Sequence, residues 1–484
     1  MKRNLGIIAG PLAALCILLF VDLQPGNVMV TRMAAITVWM AIWWFTEAVH
    51  LAVTSLVPFV FLPVFGIADP KVVSFQYMDQ IIFLFIGGFL LSFAIERWKL
   101  HERIALKILM LAGTKSTHVL LGVMLTAFLI SMWISNTATV MMLLSAVLAI
   151  IYMTEQVSGK SQQQQNFAKA LLIGLAYSAT IGGMATLVGT PPNMVFVRAY
   201  SEAYPEAAPV TFMQWFSIGF PVALLMFIAS YLFLRFMFLD RKESKRLIDK
   251  EYFHESYSQL GAMSMEQKIV GTIFALTAIL WFTRADIKFG SFTLAGWNNL
   301  FTNKEFILDS TVAVFMALLL FLIPSKNEPG KNLLNWTEAK KLPFDIILLF
   351  GSGFALAKGF EVSGLSDWLA GKLQLFEGYS MLIIVLMIVV VVNIISEFAS
   401  NVASIQLVLP ILIAFQKDLH VDPLLLMIPA TLAASLGFML PVATAPNTIV
   451  FGCGVLTVKD MARAGLWMNL AGIVIIWLLT VGMR

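Results

Sequence analysis

The chain has 484 residues, 59% of them hydrophobic and only 12% charged, with a mean hydropathy of +0.86. So few charges cannot clothe a soluble globule of this size, which excludes a water-soluble domain and leaves a membrane protein. The formal net charge of +4 does not point to nucleic acid in such a chain, because the places of the charges matter more than their sum.

A membrane-spanning helix needs roughly 20 apolar residues. Such runs are predicted near 5–22, 28–46, 51–67, 81–97, 168–200, 215–238, 267–283, 308–323, 344–360, 422–455 and 464–482, giving about eleven spans in an all-α polytopic fold. Two more apolar stretches, 120–151 and 380–416, carry a short polar tip near the middle and read as re-entrant helical hairpins. The basic start at Lys2 and Arg3 precedes an apolar run with no small-residue cleavage site after Asp22, so that run reads as the first span. Lys and Arg cluster in 97–107, in 241–250 and at Lys326, Lys331, Lys340 and Lys341, and these loops should face the cytoplasm. From a cytoplasmic N-terminus, all three fall inside only if 120–151 returns to the side it left. The fourth span then runs inward and the ninth outward. The chain therefore reads as a first half, 1–239, a polar amphipathic connector, 240–266, and an inverted second half, 267–484. The polar loop 283–304, with Trp297, Asn298 and Asn299, should lie outside.

The halves are written in the same words. Ser135-Asn136-Thr137 recurs 265 residues later as Ser400-Asn401-Val402, and the same offset pairs Phe85 with Phe350, Glu96 with Glu361, Ser131 with Ser396 and Ala138 with Ala403. Gly189-Thr190-Pro191-Pro192-Asn193 recurs as Ala443-Thr444-Ala445-Pro446-Asn447 at an offset of 254, the shortfall matching the 161–166 loop that the second half lacks. Helix-breaking signals at corresponding places of two inverted apolar halves point to a site at the repeat interface of a secondary transporter. A lone Ser-Asn-Thr would be a helix cap and nothing more. Two copies inside apolar sequence must be buried in protein or line a watery cavity, and the helices starting at 138 and 403 offer free N–H groups and a positive dipole end to an anion.

Proline in the second pair removes a donor and clashes with the preceding turn, so each span should unwind there and free carbonyls for a small cation. Sodium suits such a site better than a divalent ion, since no cluster of carboxylates accompanies the breaks. The motifs also lack Lys and Arg, so a bound dianion would need co-bound cations. One sodium per half would neutralise it, and a third would add one net charge, worth roughly 2.3 kcal/mol per 100 mV. Glu47 and His50 read as an interfacial pair, and Glu96 and Glu361 as structural residues at helix ends. Glu397, opposite Met132 of the first half, either tunes the second cation site or pairs with a neighbour. Cys16 and Cys453 support neither a disulfide framework nor a metal cluster. The five histidines, His50, His101, His118, His254 and His420, form no catalytic grouping, which argues against an enzyme.

At these four motifs, and in the stretch 435–443 followed by Asn447, Ile449 and Val450, the chain resembles the divalent anion/sodium symporter family, whose members carry dicarboxylates, citrate or sulfate. The resemblance implies a dimerising scaffold domain and a transport domain that moves like an elevator. It implies a first sodium site at Ser131, Ser135, Asn136 and Gly189, and a second at Ser396, Ala399, Asn401 and Ala443. Substrate carboxylates would meet Ser135, Asn136 and Thr137 on one side and Ser400, Asn401 and Val402 on the other, with Thr444 and Ala445 nearby. Val402 stands where the second tip often ends in Thr, and Ser396 where some relatives carry Thr. The expectation is a homodimeric, sodium-coupled importer of C4-dicarboxylates in a bacterial inner membrane, with sodium as coupling ion and no organic cofactor. Sulfate or citrate transport and sodium-independent exchange are the alternatives.

Overall fold

The computed structural model describes residues 2–159, 161–239, 250–289, 292–373, 378–419 and 421–482. Helices α1 (Lys2–Phe20) and α2 (Val28–Thr46) pack together, α2 being capped by the Asn27 side chain. The third predicted span is split into α3 (Leu51–Thr54) and α4 (Val57–Val64), with Pro58 in the first turn of α4 and Pro63 near its end. A short α5 (Pro70–Gln76) leads to α6 (Gln80–Arg97), and their N-caps, Asp69 and Asp79, each accept a backbone N–H. The amphipathic α7 (Leu100–Ala112) precedes the first hairpin, α8 (Ser116–Ser131) and α9 (Asn136–Ser158). A broken pair follows, α10 (Gln162–Met184) and α11 (Pro191–Ala203), then α12 (Phe212–Phe238), α13 (Lys250–Gln259) and α14 (Met265–Phe282).

The second half opens through a small antiparallel ribbon, β1 (Ile287–Phe289) and β2 (Phe292–Leu294), with Ile287 opposite Leu294. Then come α15 (Asp309–Leu322), α16 (Trp336–Ala339), α17 (Phe344–Ser363) and α18 (Leu365–Leu373). The second hairpin is α19 (Met381–Phe398) and α20 (Asn401–Leu419); the second broken pair is α21 (Leu424–Ala433) and α22 (Ala445–Phe451); α23 (Val458–Gly482) ends the described chain. Glu47 ends α2 in the left-handed region, His50 caps α3 through Nδ1, and Glu361 pairs with Lys358 at 2.8 Å. The basic run within 241–249, and His420, lie outside the described residues.

Among the described residues, nine helices are long and apolar enough to cross a membrane, fewer than the eleven predicted spans. The difference has plain causes. Two of the nine are the hairpin arms α9 and α19, so seven predicted spans are matched. Of the other four, the first is apolar only over Gly6–Phe20, prolines and an irregular Ser55-Leu56 joint divide another, α15 is only 14 residues long, and the second broken span leaves halves of 10 and 7 residues. Both hairpins turn within a few residues of the expected tips.

Helix α10 is the axis of the packing, with 94% of its apolar window buried. Its small residues permit this, as expected where helices pack in lipid. A Cβ on Gly174 would lie 2.9 Å from Met124 Cγ of α8, and one on Gly182 would strike the Phe128 carbonyl. The two halves interlock crosswise: α11 packs on α20, and α22 packs on α9 and α10. Each broken helix therefore sets its second half against the other repeat's hairpin.

Candidate substrate and cation site

The two hairpin tips have the same internal geometry. Ser135 is the N-cap of α9, its Oγ accepting the Ala138 N–H at 3.3 Å; Ser400 Oγ accepts the Ala403 N–H at 3.2 Å. Ser131 Oγ donates to Asn136 Oδ1 at 2.7 Å, and Ser396 Oγ lies 2.9 Å from Asn401 Oδ1 while also reaching the Ala434 carbonyl. These hydroxyl–amide pairs gather oxygen lone pairs beside a helix start without any formal charge. Ser131, Ser396, Ala399, Gly189 and Ala443 are buried, whereas Ser135, Asn136, Thr137, Ser400, Asn401 and Val402 are half-buried. The inner members thus lie deeper in the protein than the tips. Thr444 is half-buried and Ala445 exposed, but their counterpart Thr190 is buried, so the second break is the more open of the two.

Both spans unwind at the predicted places, over 185–190 and 434–444. Thr444 caps α22 by accepting the Asn447 N–H at 3.3 Å, whereas Thr190 makes no such side-chain bond. The first break is held by Thr186, whose hydroxyl donates to the Met132 carbonyl and accepts the Gly189 N–H at 3.1 Å. Gly183 approaches the tip so closely that a Cβ there would collide with Asn136 Oδ1 and lie 3.0 Å from the Gly189 carbonyl oxygen. Its counterpart Gly437 has more room, its nearest neighbour being Ala443 Cβ at 3.2 Å.

Glu397 is buried and accepts N–H groups from Phe438 at 2.8 Å, Met439 at 2.9 Å and Leu440 at 3.1 Å, and from the Asn469 amide at 2.6 Å. It holds the second break by its backbone and so pairs with its neighbours. Asn393 adds a bond to the Leu436 carbonyl at 2.8 Å. Tyr177 of α10 donates to the Phe438 carbonyl at 2.8 Å and ties the first half to this loop. Arg198, which follows the first break in α11, is occupied elsewhere, by Asp79 at 3.0 Å and Glu202 at 3.1 Å. No group of three or more His, Cys, Asp or Glu able to hold a metal occurs among the described residues. Sequence reasoning missed the contact of Gly183 with the first tip and the backbone partners of Glu397, since both join segments about forty to fifty residues apart. The repeated asparagine after each proline was visible, but its bonds were not.

Paired hairpins, paired helix breaks and an uncharged polar centre mark a multi-pass membrane transporter. The chain belongs to the family described as the sodium:sulfate symporter transmembrane region, which it matches over residues 4–483. It is 41% identical over 478 residues to the sodium-dependent dicarboxylate transporter SdcS of Staphylococcus saprophyticus, covering 97% of this chain and 89% of that one. SdcS of Staphylococcus aureus strain NCTC 8325 is 40% identical over 477 residues, with 98% and 89% covered. Among solved structures, MtrF of Neisseria gonorrhoeae shares the fold with a TM-score of 0.57 and 12% identity, over 87% of this chain and 84% of that one. The YdaH transporter of Alcanivorax borkumensis does so at 0.51 and 13%, over 85% and 86%.

Proposed function

We propose that this protein is a sodium-coupled importer of C4-dicarboxylates such as succinate, fumarate and malate, working in a bacterial inner membrane. The carrying observation is the pair of uncharged tips, each with a buried hydroxyl against a half-buried amide, together with the crosswise packing of α9 on α22 and of α11 on α20. Sodium sits first among Ser131, Ser135, Asn136 and Gly189, and second among Ser396, Ala399, Asn401 and Ala443. The dianion then meets Ser135, Asn136 and Thr137 opposite Ser400, Asn401 and Val402, beside Thr444 and Ala445, with the N-termini of α9 and α20 directed at its charge. The two cations stand in for the lysine or arginine that the motifs lack. No organic cofactor takes part. The similarity to SdcS transporters supports the substrate class. A homodimer with a static scaffold and an elevator-like transport body, built on inverted repeats in 1–239 and 267–484 joined by 240–266, completes the reading.

The test is uptake of labelled succinate into proteoliposomes under a sodium gradient, with sulfate and citrate as competitors. Sodium-driven, saturable uptake blocked by fumarate and malate is expected. Preferential block by sulfate or citrate reassigns the substrate, and full uptake with choline in place of sodium makes the protein an exchanger.

A further inference from the structure

Asn193 and Asn447 end the two break motifs, yet neither belongs to the sodium or substrate sets above. Both are completely buried. Asn193 Nδ2 donates to the Gly183 carbonyl at 3.1 Å and to the Thr186 carbonyl at 2.7 Å. Asn447 Nδ2 donates to the Gly437 carbonyl at 3.1 Å and to the Leu440 carbonyl at 3.1 Å. All three positions of one set map onto the other at the same offset of 254. In the first half the amide nitrogen bridges the last helical turn before the break and the unwound loop after it; in the second it ties together two points of the unwound loop itself.

The chemistry demands an amide. Only a primary amide brings two N–H groups on one neutral atom of this reach, and aspartate or leucine would leave two buried carbonyls unpaired. Its orientation is fixed, because a flipped amide would set oxygen against two carbonyl oxygens. The remaining Oδ1 is buried without a hydrogen-bond partner in both asparagines, an open acceptor that an ion's water shell can fill. The residue each clamp grips is the one that touches the site: Gly183 lies against Asn136 Oδ1 and the Gly189 carbonyl, Gly437 against Ala443, Thr444 and the Ser396 carbonyl.

We propose that Asn193 and Asn447 are positioning residues for the two cation sites, setting sodium affinity through Gly183 and Gly437. The inference rests on the sodium-coupled reading above. Asn193→Ser and Asn447→Ser keep a single donor, and each is compared with the wild type in reconstituted succinate uptake with sodium titrated. The sodium concentration for half-maximal uptake rises about 10-fold, as when a residue supporting an ion's ligands is removed. At saturating sodium, the succinate KM and maximal rate return to near wild type, and the sodium-free variants still unfold in a single cooperative thermal transition. An unchanged sodium requirement overturns the inference, as does a loss of rate that saturating sodium does not repair. Failure of both the Ser variants and Asn193→Gln and Asn447→Gln to fold also overturns it, since the amides would then serve folding alone. Sodium-independent uptake by the wild type instead removes the functional reading beneath it.

Discussion

The two repeats build their helix breaks with the same amide clamp but fasten them differently. The first break is closed by glycine packed against glycine: a Cβ on Gly189 would lie 2.6 Å from the Gly183 carbonyl oxygen. The second carries Ala443 there, and is held open by the buried Glu397 on three successive N–H groups. Glu397, Asn393 and Ser435 replace Met132, Phe128 and Ile181 of the first half. One loop is held by close contact and the Thr186 hydroxyl, the other by the hydrogen bonds of a buried carboxyl group. The polar tips are alike in the two halves, while each half has its own way to keep a backbone unwound inside apolar surroundings.

The strongest test of shared tips is Asn136→Ala beside Asn401→Ala. On the proposed site each amide would serve ion and substrate together, so both variants should abolish transport while remaining folded. Wild-type sodium affinity in either one breaks the equivalence. The tightness of the first break is probed next by Gly183→Ala against Gly437→Ala. The first drives a methyl into Asn136 Oδ1, and the second meets nothing closer than 3.2 Å. Sodium-titrated uptake should fail for the first and shift only modestly for the second.

Glu397→Gln against Met132→Leu separates the two fastenings. The glutamine leaves buried N–H donors poorly met, at about 3 kcal/mol. The leucine is a near volume-conserving change, below about 1.5 kcal/mol. Thermal unfolding in detergent should rank them in that order. Val402→Thr restores at the second tip the hydroxyl of the first, and the gain of one hydrogen bond, about 0.5–1.5 kcal/mol, should tighten succinate binding a few-fold.

The smallest effect lies outside the membrane. Arg97, whose counterpart is Val362, tethers the end of α6 to Glu328 at 2.7 Å. Hydrogen bonds from Lys331 and Arg97 hold the Glu328 carboxyl below its usual range. A depressed folded value means that the tether stabilises above the ordinary glutamate range and is lost as pH falls through the lowered value. Unfolding midpoints of the wild type and Glu328→Gln should therefore differ slightly at neutral pH and converge on acidification.

Much of this architecture was legible because it depends on local chemistry repeated in the chain. Apolar runs located the long helices, Ser-Asn caps located the hairpin turns, and proline located the breaks. The amphipathic α7 and its counterpart α18 are not legible as spans, since neither is a long apolar run and the basic residues of 97–107 signal only topology. Ser131 and Ser396 stand five residues before the asparagines they meet, a reach the spacing could supply.

The sequence by itself determined that the chain carries a repeated pair of uncharged polar tips and a repeated pair of helix breaks, because caps, prolines and apolar length act within a few residues. Only the tertiary structure decided that α22 lies on α9 and α11 on α20, that Asn193 and Asn447 grip carbonyls seven and ten residues back, and that Glu397 holds a loop more than forty residues away. Those choices depend on which buried donors and acceptors become neighbours when helices pack, and a buried polar group must be paired wherever its partner lies in the chain.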